Sequence, residues 1–404
     1  MEQKTLVRTL FATIVAEVIS FSVVVPIVPQ LFTEPGSKFF ILPAGMEVST
    51  GYILLGVTIG LYPLGQFLAT PILGELSDIY GRKRVIQVSV LGTVVSSLIF
   101  AFGIVAESFL ILFLSRFVNG LTGGLISVAQ ATIADVTPEE KRSEGFGILG
   151  AAFGAGFTFG PFLGGLLSSS PFSVLGISTP FIFGAALSSI SVLFVSYRLE
   201  ETSPMTGNSI NWRKPFTQLR NGIAIPGIQD LLAANFLYFS GFAFFTTFIP
   251  VFLVERFGFS QVQTGNFFFY IGLLIILGQG YLVPKAFERL KERRIMPIAL
   301  FLTGFFILIQ PFTPGLAAFI AAVTIFALSN DNTTVALNSL VSSASPDEKQ
   351  GLALGTNQGL RALGNAFPSM LSGVAAAFFA ASTPILISGT LLVLTAAGYK
   401  LLSS

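Results

Sequence analysis

The sequence contains no cysteine and no histidine. It therefore has no disulfide, no thiolate nucleophile and no cysteine-ligated metal site. It also lacks the commonest metal ligand and the side chain that ordinarily titrates near neutral pH. Phosphate-binding loops and nucleophile–base pairs are missing as well. We therefore expect neither an enzyme nor an ATP-driven pump, and no metal or other cofactor. Any proton chemistry must use carboxylates.

Charge is also scarce. Only 10% of the 404 residues are charged and 52% are hydrophobic, whereas soluble chains carry about 25% charged residues. A helix needs about 20 apolar residues to cross a bilayer. These proportions predict an all-α membrane protein with twelve transmembrane spans. The predicted spans 1 to 12 are residues 6–32, 51–76, 85–106, 108–134, 144–170, 174–197, 229–257, 261–284, 295–311, 315–341, 351–379 and 382–402.

The basic residues predict the orientation of these spans. Of the 22 Lys and Arg residues, 18 lie at the two ends of the chain or in the loops on the same side as those ends. Positive loops face the cytoplasm, so we expect both termini there, in the plasma membrane of a prokaryote. The net charge is +2 and the bases form no nucleic-acid patch. We expect a monomer whose partners are lipid, protons and a small molecule.

The longest polar break, residues 198–222, divides the chain into two halves with weak internal similarity. "PEEKRSEGFG", from Pro138, aligns with "PDEKQGLALG", from Pro346. Parallel six-helix repeats are the layout of one large transporter class. We predict an N-terminal bundle over 1–197, a linker over 198–228 and a C-terminal bundle over 229–404.

The stretch "GELSDIYGRKR" joins spans 2 and 3. Glycines allow a tight turn and close helix approach, and the bases suit an anionic membrane surface. An acid at this edge needs a partner or a helix N-terminus. The stretch resembles the loop signature of the major facilitator superfamily. The matching residues are Gly74, Leu76, Asp78, Gly81, Arg82, Lys83 and Arg84.

That resemblance implies two six-helix bundles and a conformational gate. Asp78 would contact the start of span 11 near Gly351, and Asp135 or Glu144 would pair with the bases of the loop. The corresponding stretch of the second half has Pro284 where the acid would be. The gate is therefore expected on one side only.

Span 5 carries a pattern of small residues and one proline. Small residues on one face allow close helix packing, which is one sufficient explanation. The pattern also resembles the antiporter motif of drug:proton exporters in the same superfamily. The residues are Gly147, Gly156, Gly160, Pro161, Gly164 and Gly165.

Glu17 lies near the middle of span 1 with no base near it in sequence. Burial favours the protonated carboxyl, so Glu17 is the residue we expect to carry protons. Its distance from Pro29 resembles that in drug:proton exporters. The same resemblance places Arg116 of span 4 beside it, with Asn119 three positions on, and we expect Asn119 to line the substrate cavity. For Glu17 the alternatives are a permanent ion pair with Arg116 or a hydrogen-bonded acid that carries no protons. For Arg116 the alternative is a side chain that extends to the outer surface.

The second half offers a set of residues for a substrate cavity. Asp331 of span 10 and Arg361 of span 11 are predicted at similar depth and could form an ion pair, with or without a transport role. Aromatic and amide side chains could line a pocket for lipophilic or cationic compounds. These are Asn235, Tyr238, Tyr270 and Gln279.

The residues and the resemblance together predict a proton-coupled antiporter that exports small lipophilic or cationic compounds by alternating access. One alternative is a carrier of the same fold for a sugar, lipid or other metabolite. The other is a membrane receptor that transports nothing, although the longest loop leaves little room for a sensory domain.

Overall fold

A computed structural model describes residues 3–37, 39–43, 45–138, 142–169, 175–203, 205 and 212–403. These residues form α-helices with a few short 3₁₀ and π-helical turns, and they contain no strand. The helices are α1 (Gln3–Ser22), α2 (Val28–Phe32), α3 (Val48–Tyr80), α4 (Arg82–Val105), α5 (Phe109–Thr122), α6 (Leu125–Val136), α7 (Arg142–Leu167), α8 (Thr179–Arg198), α9 (Lys214–Ile223), α10 (Gln229–Phe257), α11 (Gln261–Leu277), α12 (Val283–Arg289), α13 (Glu292–Leu308), α14 (Leu316–Ala344), α15 (Gln350–Phe378) and α16 (Thr383–Ser403).

Ten helical stretches of the described chain are long and apolar enough to cross a membrane. They correspond to predicted spans 1 to 10. Spans 11 and 12 coincide with α15 and α16, of 29 and 21 residues. At 1.5 Å per residue even α16 is about 31 Å long, close to the thickness of the hydrocarbon core. The chain is therefore an integral, multi-pass, all-α membrane protein.

The two halves of the chain repeat one pattern of helix packing. In the first half α1 packs against α7 and α8, and α4 packs against α5 and α8. In the second half α10 packs against α15 and α16, and α13 packs against α14 and α16. In span numbers, pairs 1–5, 1–6, 3–6 and 3–4 recur as 7–11, 7–12, 9–12 and 9–10. This recurrence supports the internal repeat expected from the sequence.

Three predicted spans are interrupted rather than continuous. Span 1 breaks at residues 23–27, which contain Pro26 and precede Pro29, and span 4 breaks at Gly123 and Gly124. Span 8 contains a π-helical turn, Gly278–Leu282, before α12. Proline removes a backbone donor and glycine lacks helix propensity, which accounts for the first two breaks. Such breaks in membrane helices commonly mark binding sites.

The chain divides into two compact units that do not coincide with its two halves. The first contains Met1–Ala44, Leu61–Pro215 and Ser260–Phe269, and the second contains Gly45–Gly60, Phe216–Phe259 and Tyr270–Ser404. Close backbone packing explains why Gly45–Gly60 groups with the second unit and Ser260–Phe269 with the first. A Cβ at Gly56 would lie 2.7 Å from the carbonyl oxygen of Ser369, and one at Gly265 would lie 2.7 Å from that of Pro161.

Candidate proton and substrate sites

Three glycines of α7 pack directly against α1 and the break that follows it. A Cβ at Gly156 would lie 2.5 Å from Cβ of Val18, one at Gly160 would lie 1.8 Å from Oγ of Ser22, and one at Gly164 would lie 2.3 Å from the carbonyl oxygen of Val23. These glycines are four residues apart and so share one face of the helix. That face is fitted to the helix that carries Glu17.

The other members of the predicted motif have different surroundings. A Cβ at Gly165 would lie 2.4 Å from the carbonyl oxygen of Gln261, at the start of α11. Pro161 lies within α7. A Cβ at Gly147 would meet nothing within 4 Å, so this glycine makes no close helix contact.

Glu17 lies in the second half of α1 and faces α4 and α8. Its side chain is half-buried, and its Oε1 atom is enclosed without a hydrogen-bond partner. The hydroxyls of Thr93 and Ser188, on α4 and α8, interact with the carboxyl. Ser188 in turn lies 3.0 Å from the hydroxyl of Ser20. The carboxyl therefore faces hydroxyl groups, which can serve both its charged and its neutral form.

Arg116 is buried, with 6% of its surface exposed, so it does not extend to the outer surface. Its guanidinium carbon lies 5.2 Å from the centre of the Tyr62 ring, and Nη1 donates to the carbonyl oxygen of Phe21 at 3.5 Å. No ion pair joins Arg116 to Glu17 among the described residues. Tyr62 lies within electrostatic range of both. The permanent ion pair considered above is therefore not formed.

Asn119 serves helix packing. Its amide nitrogen donates to the hydroxyl of Ser96 on α4 at 2.6 Å, and the Ser115 hydroxyl donates to the carbonyl oxygen of Ser96 at 2.7 Å. Asn119 therefore joins α5 to α4, and it is 5% exposed. The expectation that it lines a substrate cavity stays a prediction.

The loop signature forms the turn from α3 to α4, and Gly81 alone separates the two helices. Gly81 has φ +98°, which confirms the tight turn. Arg82 Nη1 lies 2.5 Å from Oδ1 of Asp78, and Arg82 Nε lies 3.0 Å from Oδ2 of Asp135. One guanidinium thus bridges the acid of the signature and the acid at the end of α6.

Glu201, just after α8, also takes part in this turn. Its Oε1 accepts from the backbone amide of Arg82 at 2.7 Å and its Oε2 from that of Lys83 at 3.2 Å. Carboxylates are favoured at helix N-termini, where backbone amides lack partners. A Cβ at Gly81 would lie 2.1 Å from Oε2 of Glu201. Glu201 therefore caps α4, and only glycine fits beneath it.

Other expectations for this loop have mixed outcomes. Lys83 Nζ donates to the carbonyl oxygen of Ser196 at 2.7 Å, whereas Arg84 is exposed. A Cβ at Gly74 would meet nothing within 4 Å, so the close helix approach expected there is wrong. Glu144 and Glu139 to Lys141, part of the aligned repeat, lie outside the residues whose side chains the structure describes. The contact of Asp78 with span 11 stays a prediction.

In the second half, the predicted Asp331–Arg361 ion pair is wrong. The guanidinium carbon of Arg361 lies 4.6 Å from the centre of the Phe239 ring. Asp331 is 2% exposed, and its Oδ2 has no hydrogen-bond partner. A Cβ at Gly278 would lie 2.1 Å from that oxygen. The carboxyl of α14 therefore faces the π-helical turn after α11, while the arginine of α15 faces α10.

Polar residues of α10 and α11 also contact polar residues of α14. The Tyr238 hydroxyl donates to Oδ1 of Asn330 at 2.7 Å, and the hydroxyls of Tyr270 and Thr324 are 2.7 Å apart. Asn235 is 1% exposed, and neither atom of its amide has a partner. Asn235 and Tyr238 are thus buried within the second unit.

Sequence reasoning did not identify Tyr62 or Glu201. Tyr62 belongs to an ordinary apolar stretch, and no spacing rule connects it to Arg116. Glu201 follows α8 in a polar segment that also holds Glu200, so its capping role has no local pattern. Only the three-dimensional contacts identify these residues.

The chain matches the family model described as Major Facilitator Superfamily over residues 10–368. The class G tetracycline resistance protein of Vibrio anguillarum is 30% identical over 344 residues, covering 84% of this chain and 82% of that protein. The class C tetracycline resistance protein of Escherichia coli is 27% identical over 370 residues, covering 90% and 87%.

Solved structures extend the likeness to the fold. The human organic anion transporter MFSD10 (TETRAN) is 23% identical, with a TM-score of 0.74 over 99% of this chain and 100% of that chain. The D-xylose–proton symporter is 16% identical, with a TM-score of 0.78 over 98% and 96%. These two proteins have different substrates, so the likeness describes architecture rather than cargo.

Proposed function

The chain belongs to the major facilitator superfamily, whose members are transporters and not enzymes, and from that premise we propose that it is a proton-coupled antiporter. It exports small lipophilic or cationic compounds by alternating access. The coupling residue is Glu17, assisted by Arg116. The relatives named as tetracycline resistance proteins support a drug-like substrate.

The enclosed, unpaired oxygen of Glu17 is the observation that carries this proposal. An ionised carboxylate without a counter-ion is costly in a membrane interior, whereas a protonated carboxyl is not. Glu17 therefore holds a proton in one state of the cycle and releases it to water in the other. A cationic substrate that approaches the carboxyl favours the release, because it stabilises the charged form.

The glycine face of α7 connects this chemistry to movement. Gly156, Gly160 and Gly164 bring the α7 backbone against α1 within one to two turns of Glu17. A change of charge at Glu17 alters the hydration and packing of α1, and α7 moves with α1 because the two helices are so closely packed.

The gate consists of the turn at Gly81, with Asp78, Arg82 and Asp135. Arg84 and Gly74 belong to the same stretch and contribute less.

We also propose the orientation and organisation that the sequence favours. Both termini face the cytoplasm of a prokaryotic cell, and inward proton flow drives export. The bundles comprise residues 1–197 and 229–404, and the protein acts as a monomer. Asn235, Tyr238, Tyr270 and Gln279 contribute to the substrate pathway of the second bundle.

A Glu17→Gln variant tests the coupling. Purified protein in vesicles is given a pH gradient, and uphill movement of tetracycline and of ethidium is measured. The glutamine should abolish gradient-driven accumulation and keep substrate exchange without a gradient. Glu107→Gln, at an exposed carboxyl between α4 and α5, is the matched control. Uphill transport by Glu17→Gln at the wild-type rate would refute the role of Glu17.

A second candidate is a carrier of organic anions with the same fold. It is favoured by Arg361, a guanidinium that contacts the Phe239 ring and has no carboxylate partner among the described residues. A relative named as an organic anion transporter has the same architecture. Fluorescein transport that is lost in Arg361→Gln and unaffected by Glu17→Gln would favour this candidate over cation export.

A further inference from the structure

The contact between α14 and the end of α11 has an unusual form. The helix of span 8 widens into a π-helical turn at Gly278–Leu282 before α12 begins. π-helical turns are rare, and they occur frequently at functional sites. The turn faces α14 at Asp331, an acid in the middle of a membrane helix.

The carboxyl of Asp331 occupies the space that a side chain at position 278 would need. A Cβ there would lie 2.1 Å from Oδ2 and 3.2 Å from Cγ of Asp331. Oδ2 is enclosed and has no hydrogen-bond partner. Gly280, two residues along the same turn, has nothing within 4 Å of its own ideal Cβ position. The close fit is therefore specific to position 278.

Among the described residues, no Lys or Arg forms an ion pair with Asp331. Lys285 of α12, a helix that also packs against α14, lies over the ring of Tyr281 in the π-helical turn. Arg361 of α15 contacts Phe239, and the Tyr238 hydroxyl of α10, which lies within electrostatic range of Asp331, donates to Asn330. On α13, residues 295–308 contain no titratable side chain, and Thr303 meets Thr333 at 3.4 Å. The Gln279 amide of the π-helical turn interacts with the carboxyl. It is exposed and carries no charge.

A carboxylate ion without a counter-ion is unstable in such surroundings. The neutral acid needs no counter-ion. Among the described residues, no group of three or more acidic side chains that could hold a metal ion includes Asp331, whereas hard cations take several oxygen ligands. A proton is therefore the cation that this position fits.

We propose that Asp331, seated on the π-helical turn at Gly278, is a second proton-exchanging carboxyl that acts independently of Glu17. It takes a proton from hydronium on one side of the membrane and returns it to water on the other. The inference rests on the proposed proton coupling and extends it, because the protein then exchanges two protons per cycle rather than one. Gly278 acts as a positioning residue, since it leaves the space that the carboxyl occupies.

Infrared difference spectroscopy tests this directly without a substrate. The full chain in lipid vesicles is titrated between about pH 6 and pH 9, a range in which ordinary aspartates, with pKa values of about 3.9, are already ionised. The C=O stretch of a protonated carboxyl is followed. Incorporation of ¹³C-labelled aspartate shifts aspartate bands and leaves glutamate bands in place. Wild-type protein should show one titrating aspartate band and one titrating glutamate band.

Asp331→Asn should remove the aspartate band, and Glu17→Gln should remove only the glutamate band. Gly278→Ala, which displaces the carboxyl, should shift or abolish the aspartate band, whereas Gly280→Ala should reproduce the wild-type spectrum. No titrating aspartate band in labelled wild-type protein would overturn the proposal, even if the Asp331 variant failed to fold. Equal spectra for the two glycine variants would also overturn it. A missing glutamate band would instead count against the role of Glu17.

Discussion

The ring of Tyr62 stacks on the ring of Phe21, with centres 5.0 Å apart and planes 1° from parallel. Phe21 lies on α1, one turn after Glu17, and Tyr62 lies on α3. The Tyr62 ring also contacts the guanidinium of Arg116 on α5. Three spans of the first unit therefore meet at one aromatic ring beside the proposed proton site.

This contact predicts that the ring of Tyr62, more than its hydroxyl, supports Arg116. A desolvated cation–π contact contributes about 2 kcal/mol. Tyr62→Leu should lower the melting temperature of the purified protein and slow gradient-driven transport. Tyr62→Phe keeps the ring and should retain most of both. Equal damage from the two substitutions would show that the hydroxyl is the important group.

The glycine face of α7 predicts that alanine substitutions at two glycines of this helix differ sharply in their effect on stability and transport. Gly164→Ala would place a methyl 2.3 Å from the backbone oxygen of Val23, and overpacking of this kind costs about 1–3 kcal/mol. We expect a lower melting temperature and little transport.

Gly154→Ala is the matched control, because a Cβ at Gly154 meets nothing within 4 Å. Alanine is favoured over glycine inside a helix by about 0.5–1 kcal/mol, so this variant should be at least as stable as wild type. If Gly154→Ala were as harmful as Gly164→Ala, the contact with Val23 would not be the reason.

The cap on α4 predicts that Glu201 stabilises the turn at Gly81. Loss of a capping side chain costs about 0.5–2 kcal/mol. Glu201→Ala should therefore lower the melting temperature and increase proteolysis at the α3–α4 turn. Glu201→Gln keeps one acceptor oxygen and should fall between alanine and wild type. A Glu201→Gln variant less stable than Glu201→Ala would contradict the capping role.

Glu34, which lies outside the predicted membrane spans, predicts that the stability of the folded protein depends on pH. It is half-buried after α2, beside a cavity of about 560 Å³ lined by Gln30, Glu34, Gly36, Ser37, Phe39 and Gln261. Burial raises the pKa of the Glu34 carboxyl above its ordinary value. The folded state therefore holds this proton more tightly than the unfolded chain does, and it loses stability as the pH rises from the ordinary value through the raised one.

Glu34→Gln removes that loss. The melting temperature of the variant relative to wild type should increase as the pH rises from about 4 to neutral. Glu47→Gln, at an exposed carboxyl that accepts a hydrogen bond from Ser49 at 3.0 Å, should follow the wild-type profile. A pH-independent difference between Glu34→Gln and wild type would show that the carboxyl does not titrate differently in the folded state.

The sequence predicted those features that depend on spacing along one helix. The glycines of α7 recur every four residues, so their common face follows from helix geometry alone. The turn at Gly81 and the position of each span also follow from local patterns. The breaks at residues 23–27 and 123–124 have proline and glycine signals that could have predicted them.

Features that depend on how helices rotate against one another were not predictable in this way. Asp331 and Arg361 were expected to pair because their depths match, but depth does not determine the direction in which each side chain points. In the structure the two point to different helices. The same reasoning explains why Tyr62 and Glu201 were missed, since each acts on a residue far away in the chain.

The two compact units exchange short segments of the chain. Residues 45–60, at the start of α3, belong to the second unit, and residues 260–269, at the start of α11, belong to the first. The arrangement resembles a domain swap within one molecule. Proteolytic cleavage in the connecting segment near Met205 should therefore leave two fragments that copurify, since each fragment retains a piece of the other's unit.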